Sequence, residues 1–139
     1  AGAIKNAGRF VTEENFFVLN ADTFYEMDYC RLMKIKEENC LDMALVLRGV
    51  PDVTRYGEAV LDGVMLAGFI NGGVYLMSRE LLEQIPAGKV SLENEMIPGW
   101  MKEGKRLGGF VNDGYFIDIG VPEDYFRFQE DVKRGVIRW

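Results

Sequence analysis

Residues Phe16–Phe24 read Phe-Phe-Val-Leu-Asn-Ala-Asp-Thr-Phe. Four apolar residues in a row, closed by a small polar stop, form the pattern of a buried strand in a parallel sheet. Such a strand is covered on both faces and so has no polar side with which to alternate. Asp22 follows at what would be the carboxyl end of the strand. Sheets built from alternating strands and helices place their ligands at those ends, near the point where strand order reverses.

Working outward, the same alternation recurs. Ala3–Arg9 reads as the end of a helix. Tyr25–Glu38 carries Met27, Cys30, Leu32, Met33 and Ile35 at roughly helical spacing, and Met43–Arg48 (MALVLR) reads as the next strand. Arg55–Leu61 is expected as an edge strand, and Phe69–Met77 (FINGGVYLM) as a strand interrupted by Gly72-Gly73. Ser78–Gln84 reads as a helix with Ser78 as N-cap. Ser91–Ile97 reads as a second, stopped or kinked at Pro98-Gly99. Arg106–Val111 and Tyr115–Ile119 are short strands. Pro122–Arg134 is a closing helix with proline in its first turn and acidic residues after it. The order predicts an α/β fold with a mostly parallel sheet.

Composition narrows the function classes. The 139 residues suit a single domain with a real core. Sixteen basic against 22 acidic residues give a net charge of −6, which argues against nucleic-acid binding over a broad basic surface. With no histidine in the chain, imidazole acid–base chemistry and imidazole metal sites are excluded. Cys30 and Cys40 form no CxxC pair and read as reduced, packed thiols of a cytoplasmic protein. The most apolar stretch, Ala59–Met77, is interrupted by Asp62, Asn71 and four glycines, so no membrane partner is expected. No signal-peptide pattern opens the chain, and its first residues, Ala-Gly-Ala-Ile-Lys, suggest a piece that begins mid-domain.

Several polar residues stand where chemistry would need them, each with a plain structural alternative. Asp118, in Phe-Ile-Asp-Ile-Gly, is a carboxylate on an apolar strand, costly unless paired, hydrogen-bonded or metal-bound. It also reads as a strand-end cap. Asp22 reads equally as an Asx turn or the N-cap of the next helix. Taken together, two aspartates at strand ends of one sheet could share an ion. Magnesium takes one or two carboxylates plus substrate phosphates. Gly72-Gly73 is either a bulge or a place where a ligand meets the main chain, with Asn71 beside it to bond a sugar hydroxyl. Ser91-Leu92-Glu93 is either a capped helix start or a carboxylate presented to sugar hydroxyls. Arg55-Tyr56-Gly57 is either a plain turn or an amide and ring offered to a ligand. Lys5 is either solvated or a phosphate partner.

The motifs resemble, in order and spacing, those of the sugar-1-phosphate nucleotidyltransferase family. FFVLNADTF resembles its strand-and-aspartate motif, with Ala21 where the family usually has glycine. Arg55-Tyr56-Gly57, Ile70–Leu76 (INGGVYL), Ser91-Leu92-Glu93 and Phe116–Tyr125 (FIDIGVPEDY) follow in the family's order across nearly the whole chain. The combination is most similar to D-glycero-D-manno-heptose 1-phosphate and mannose-1-phosphate guanylyltransferases. Ala1–Ala7 resembles the tail of a stretch that lines the nucleoside pocket.

The resemblance implies a Rossmann-like nucleotidyltransferase fold over residues 1–139, corresponding to the C-terminal, sugar-phosphate-binding portion of the domain. It implies transfer of a nucleotidyl group from a nucleoside triphosphate, GTP by analogy, to a sugar 1-phosphate with release of pyrophosphate. By motif, Asp22 and Asp118 are the catalytic residues and the Mg²⁺ ligands. Gly57, Asn71, Gly72 and Glu93 line the sugar-phosphate side, and Gly2 and Ala3 touch the nucleoside. A cytoplasmic enzyme of lipopolysaccharide or capsule precursor synthesis is implied, with its oligomeric state, including a homo-oligomer, left open.

Two departures qualify this. The family's glycine-rich, base-containing signature and the lysine after it do not occur, and no Phe-x-Glu-Lys segment lies near Asp62–Leu66. The expectation is that residues are missing before Ala1 and near Asp62–Leu66, and that this stretch is an inactive fragment by itself. A non-catalytic sugar-nucleotide-binding domain of the same fold is the alternative.

Overall fold

The structure, a computed structural model, describes residues 1–50, 59–61, 64–66 and 68–137. Its helices are α1 (Gly2–Ala7), α2 (Tyr29–Glu38), α3 (Arg79–Gln84), α4 (Ile97–Lys102) and α5 (Pro122–Lys133). Its strands are β1 (Asn15–Leu19), β2 (Thr23–Tyr25), β3 (Met43–Gly49), β4 (Ala59–Leu61), β5 (Val64–Leu66), β6 (Phe69–Ser78), β7 (Leu107–Val111) and β8 (Phe116–Asp118). The 3-10 turn Gly8–Phe10 follows α1, and a π-helical turn, Leu92–Met96, runs into α4.

The apolar runs of β3 and β6 are the centre of the molecule because both faces of each are covered. Met43, Leu45 and Leu47 of β3 and Tyr75 and Met77 of β6 face one way, packing with Leu81, Leu82 and Ile85 of the α3 region and with Leu92, Ile97 and Trp100. Ala44, Val46, Val74 and Leu76 face the other way, packing with Tyr25 and Leu32. Strand alternation thus sorts a continuous apolar run into two cores.

The main sheet has the order β1-β6-β3-β7. β3 and β7 are parallel, and β6 lies antiparallel to both β1 and β3. Three strands therefore share one direction while β6 opposes them, giving the mixed α/β sheet. β1 accordingly pairs antiparallel and is only half-buried, rather than a fully buried parallel strand. β2 and β8 form a separate antiparallel ladder, as do β4 and β5. Of the edge strand expected over Arg55–Leu61, only Ala59–Leu61 falls within the described residues.

Local departures from the sequence reading have local causes. The helix expected from Tyr25 starts at Tyr29, because Thr23-Phe24-Tyr25 is a β-branched and aromatic triplet that pairs as β2. Asp28 supplies the N-cap, accepting from the Arg31 amide at 3.0 Å, so Asp22 is not the cap of that helix. Ser78 occupies the N-cap position of α3, but its buried hydroxyl oxygen has no hydrogen-bond partner. Pro98 sits in the first turn of α4 and opens that helix rather than ending one. Cys30 and Cys40 are free thiols but exposed, not packed, since they lie on the solvent side of α2 and in the turn after it. Among the described residues no helix is long and apolar enough to cross a membrane.

Gly72-Gly73 does not end β6. It forms a bulge: Leu45 pairs with Tyr75, yet Leu47 pairs with Asn71, so β6 spends two extra residues against β3. A methyl at Gly72 would lie 2.8 Å from Tyr25 Cδ1 and 3.1 Å from the Val46 carbonyl oxygen. Gly73 has φ +71°, and its Cβ would meet Asn20 Nδ2 at 2.8 Å. Gly72→Ala is therefore expected to lower the free energy of unfolding by ~1–3 kcal/mol. Urea titration checks this; an unchanged midpoint would show that Tyr25 has room to move.

Candidate functional site

The bulge sets the site. In a regular strand residues four apart are separated by about 13 Å. The two extra residues in β6 let Asn71 fold back along the strand, where its Nδ2 donates to the Tyr75 hydroxyl at 2.8 Å. The Gly73 amide closes the turn by donating to Asn71 Oδ1 at 3.0 Å. Tyr75 then donates to Glu93 Oε1 at 2.6 Å, and Ser91 Oγ lies 3.4 Å from Glu93 Oε2. Ser91 also caps the π-helical turn by accepting from the Asn94 amide, so the capping reading of Ser91 holds, and the same turn places Glu93 at the cleft.

Tyr75 is 1% exposed. Burial raises its phenol pKa, and the Glu93 carboxylate that accepts its proton raises it further.

The aspartates arrive from the other ladder. Thr23 of β2 pairs with Asp118 of β8, and the Ile119 amide donates to the Asp22 carbonyl at 2.7 Å. This puts the residue before β2 beside the last residue of β8, on a two-stranded ladder rather than in the main sheet. Gly120 lies between them: a methyl there would be 3.0 Å from Asp118 Oδ1 and 3.5 Å from Asp22 Oδ2. The Gly120 amide donates to Asp118 Oδ1 at 2.9 Å, so Asp118 does cap its turn while bordering this gap. The Asn20 amide donates to the Gly73 carbonyl at 2.8 Å, fastening the Asp22 loop to the bulge.

Asn20, Asp22, Thr23, Asn71, Tyr75, Glu93, Phe116 and Asp118 line one open cleft of about 290 Å³. It lies at the carboxyl ends of β1 and β3, as the α/β rule requires. Among the described residues, no three His, Cys, Asp or Glu side chains gather into a metal-holding group.

Of the residues singled out from the sequence, Asp22, Asn71, Glu93 and Asp118 thus meet in one cleft. Gly72 is buried behind it against Tyr25. Gly2 and Ala3 do not line it: they lie on α1, with Gly2 packed against the Gly88 carbonyl. Gly57 lies outside the described residues. Lys5 donates to the carbonyls of Leu82 (3.3 Å) and Glu83 (2.8 Å) at the end of α3, a structural use of its charge. Tyr75, Asn20 and Thr23 were not singled out. The signal for Tyr75 was its place four residues after Asn71, which becomes meaningful only once the bulge is known.

Comparison with known proteins gives a consistent result. The profile of the Nucleotidyl transferase family matches residues 1–135. The chain is 33% identical over 146 residues to D-glycero-alpha-D-manno-heptose 1-phosphate guanylyltransferase of Aneurinibacillus thermoaerophilus, covering 97% of this chain and 63% of that protein. It is 36% identical over 139 residues to the protein of the same name from Campylobacter jejuni, covering 91% and 60%. Among solved structures, HddC from Yersinia pseudotuberculosis complexed with GMP-PN superposes with a TM-score of 0.77 at 33% identity, over 94% of this chain and 61% of that one. The chain spans about three-fifths of the length of these relatives.

A raised phenol pKa has a defined effect on stability. Its contribution is present in full below the ordinary phenol range near pH 10 and is lost as pH rises above it. At pH 8 Tyr75→Phe is expected to be less stable than wild type by about 1 kcal/mol, the net worth of a buried hydroxyl's bonds. The gap should shrink as pH rises past about 10. Urea denaturation at stepped pH checks this, and a gap that widens with pH contradicts it.

Proposed function

We propose that this chain, which belongs to the nucleotidyl transferase family, forms the sugar-phosphate side of an enzyme that moves a nucleotidyl group from GTP to a sugar 1-phosphate. The acceptor is of the heptose type, with mannose 1-phosphate the nearest relative in chemistry. The observation that carries the reading is the meeting of Asp22, Asp118, Asn71 and Glu93 in one cleft, within a chain similar to two heptose 1-phosphate guanylyltransferases. The GMP-PN complex of a structural relative supports a guanine nucleotide as donor.

In this reaction a phosphate oxygen of the sugar 1-phosphate attacks the α-phosphorus of the nucleotide. The bond to the bridging oxygen breaks, and pyrophosphate leaves. The protein's part is positioning and charge neutralisation, without a covalent intermediate. Glu93 accepts from sugar hydroxyls and Asn71 donates to one, which fixes the sugar and hence the attacking phosphate. Gly72 keeps the main chain beside Asn71 free of side chain.

The donor set beside Gly120 fits Mg²⁺. It offers two carboxylates and no nitrogen or sulfur, and leaves the other positions for phosphate oxygens and water. Held by Asp22 and Asp118, the ion would offset the negative charge of the phosphates. Gly57 on the sugar side and Gly2 and Ala3 on the nucleoside side complete the proposed contacts on resemblance. The setting proposed is cytoplasmic, in lipopolysaccharide or capsule precursor synthesis.

The test uses the full protein. Mg²⁺-dependent pyrophosphate release from GTP with a heptose or mannose 1-phosphate is expected. Asp22→Ala with Asp118→Ala should slow it by at least about 100-fold with the fold retained. Sugar-nucleotide binding without turnover in the wild type, unaffected by that double substitution, would mark a non-catalytic sensor instead.

A further inference from the structure

We propose that Tyr75 is a positioning residue whose buried hydroxyl sets the donor–acceptor polarity of the sugar subsite by holding Asn71 and Glu93 in fixed orientations. This rests on the reading of the cleft as a sugar 1-phosphate site.

The polarity follows from which groups are able to donate. The Gly73 amide can only donate, and it bonds the Asn71 side chain at 3.0 Å, so the atom it meets is the amide oxygen. That leaves the amide nitrogen to face Tyr75, and nitrogen can only donate, so the hydroxyl oxygen accepts at 2.8 Å. The phenol's own proton therefore goes to Glu93 Oε1, at 2.6 Å. One main-chain N–H in the bulge thus dictates the orientation of three side chains in series. With its oxygen turned to the Gly73 amide and one N–H given to Tyr75, Asn71 has its second N–H to offer a ligand. Glu93 offers a ligand carboxylate lone pairs. The cleft is thereby made for a polyol in which one hydroxyl accepts from Asn71 while another donates to Glu93.

The arrangement is also stiff. Tyr75 is 1% exposed, in the core with Leu45, Met77 and Leu92, so its ring cannot swing to follow either partner. Burial and the adjacent Glu93 carboxylate both hold the phenol protonated, which keeps the proton available for Glu93. Glu93 by contrast stands on an exposed turn, where Tyr75 is the buried group that fixes its carboxylate. Tyr75 acts through these two residues. It takes no part in the transfer of the nucleotidyl group, so the effect belongs in sugar binding rather than in the chemical step.

The experiment measures kcat and KM for the sugar 1-phosphate in the full protein, for wild type, Tyr75→Phe, Glu93→Ala and the double variant. Tyr75→Phe is expected to raise KM for the sugar 1-phosphate by about tenfold and leave KM for GTP and kcat within about threefold, the pattern of lost substrate binding. In the Glu93→Ala background the same change should raise KM by clearly less than it does in wild type, because only the link to Asn71 is then left to lose. Wild-type protein that turns over no sugar phosphate overturns the functional reading itself. Wild-type turnover with an unchanged sugar KM in Tyr75→Phe, or with effects that multiply in the double variant, overturns this inference alone. If Tyr75→Phe does not fold, Asn71→Ala and Glu93→Ala read the same link. Their KM effects should fall short of multiplying, and full multiplication overturns the proposal.

Discussion

The two glycines in the middle of β6 are the constraint on which the rest of the site depends. β6 is the strand between β1 and β3, and a regular strand there would carry side chains at positions 72 and 73 into Tyr25 and Asn20. Without them the strand takes up two extra residues, and the ring of Tyr25 closes over the gap. The hydroxyl of Tyr25 is then tied down by donating toward the carbonyls of Leu47 and Asn112. The same irregularity turns the Gly73 amide toward Asn71 and its carbonyl toward Asn20. A backbone defect in the core thus becomes the joint between the side chains proposed to bind the sugar and the loop that carries Asp22. Bulges next to sites re-aim side chains in this way, and the stability they cost is offset by the packing on either face.

The second joint is the β2–β8 ladder. Its three residue pairs are too few to be stable alone, and it is held by Tyr25 packed edge-on to Phe116, with ring centroids 5.1 Å apart, and by Phe24 against Phe128 of α5. Tyr115 links the same region to α5 by donating to Asp131 at 2.6 Å, and burial with that carboxylate pushes its phenol up to about 12. The closing helix therefore does more than end the domain. It braces the ladder that sets Asp118 opposite Thr23. The site is acidic in an acidic chain, so an anionic substrate is acceptable there only together with cations. That is the physical reason for proposing a metal ion between Asp22 and Asp118.

Much of this was legible in the sequence, for reasons that can be stated residue by residue. The apolar run at Met43 announces a buried strand because nothing polar interrupts it, while the runs at Phe16 and Phe69 also mark strands, the first half-buried and the second carrying Asn71-Gly72-Gly73 within it. Asp22 and Asp118 stand out because a carboxylate at the end of such a run needs a reason. What was not legible depends on pairing. Antiparallel β6 cannot be told from a parallel strand by its residues, since strands buried on both faces read alike in either direction. That the aspartates meet on a small separate ladder, not within one sheet, follows from Thr23-Phe24-Tyr25 forming a strand just where the helical spacing is read to begin, at Tyr25. Nothing in the sequence marks Tyr75, and only the register shift beside Leu45 and Leu47 brings Asn71 within reach of its hydroxyl.

The central claim is that the gap beside Gly120 and the Asn71–Tyr75–Glu93 series form the two halves of one substrate site. Crystals of the full protein grown with its sugar nucleotide product and Mn²⁺ in place of Mg²⁺ test it most directly, by anomalous scattering. The account predicts one manganese peak bound by the carboxylates of Asp22 and Asp118, with the sugar hydroxyls on Glu93 and on the Asn71 amide nitrogen. A metal held elsewhere, or a sugar that leaves Glu93 and Asn71 untouched, would contradict it.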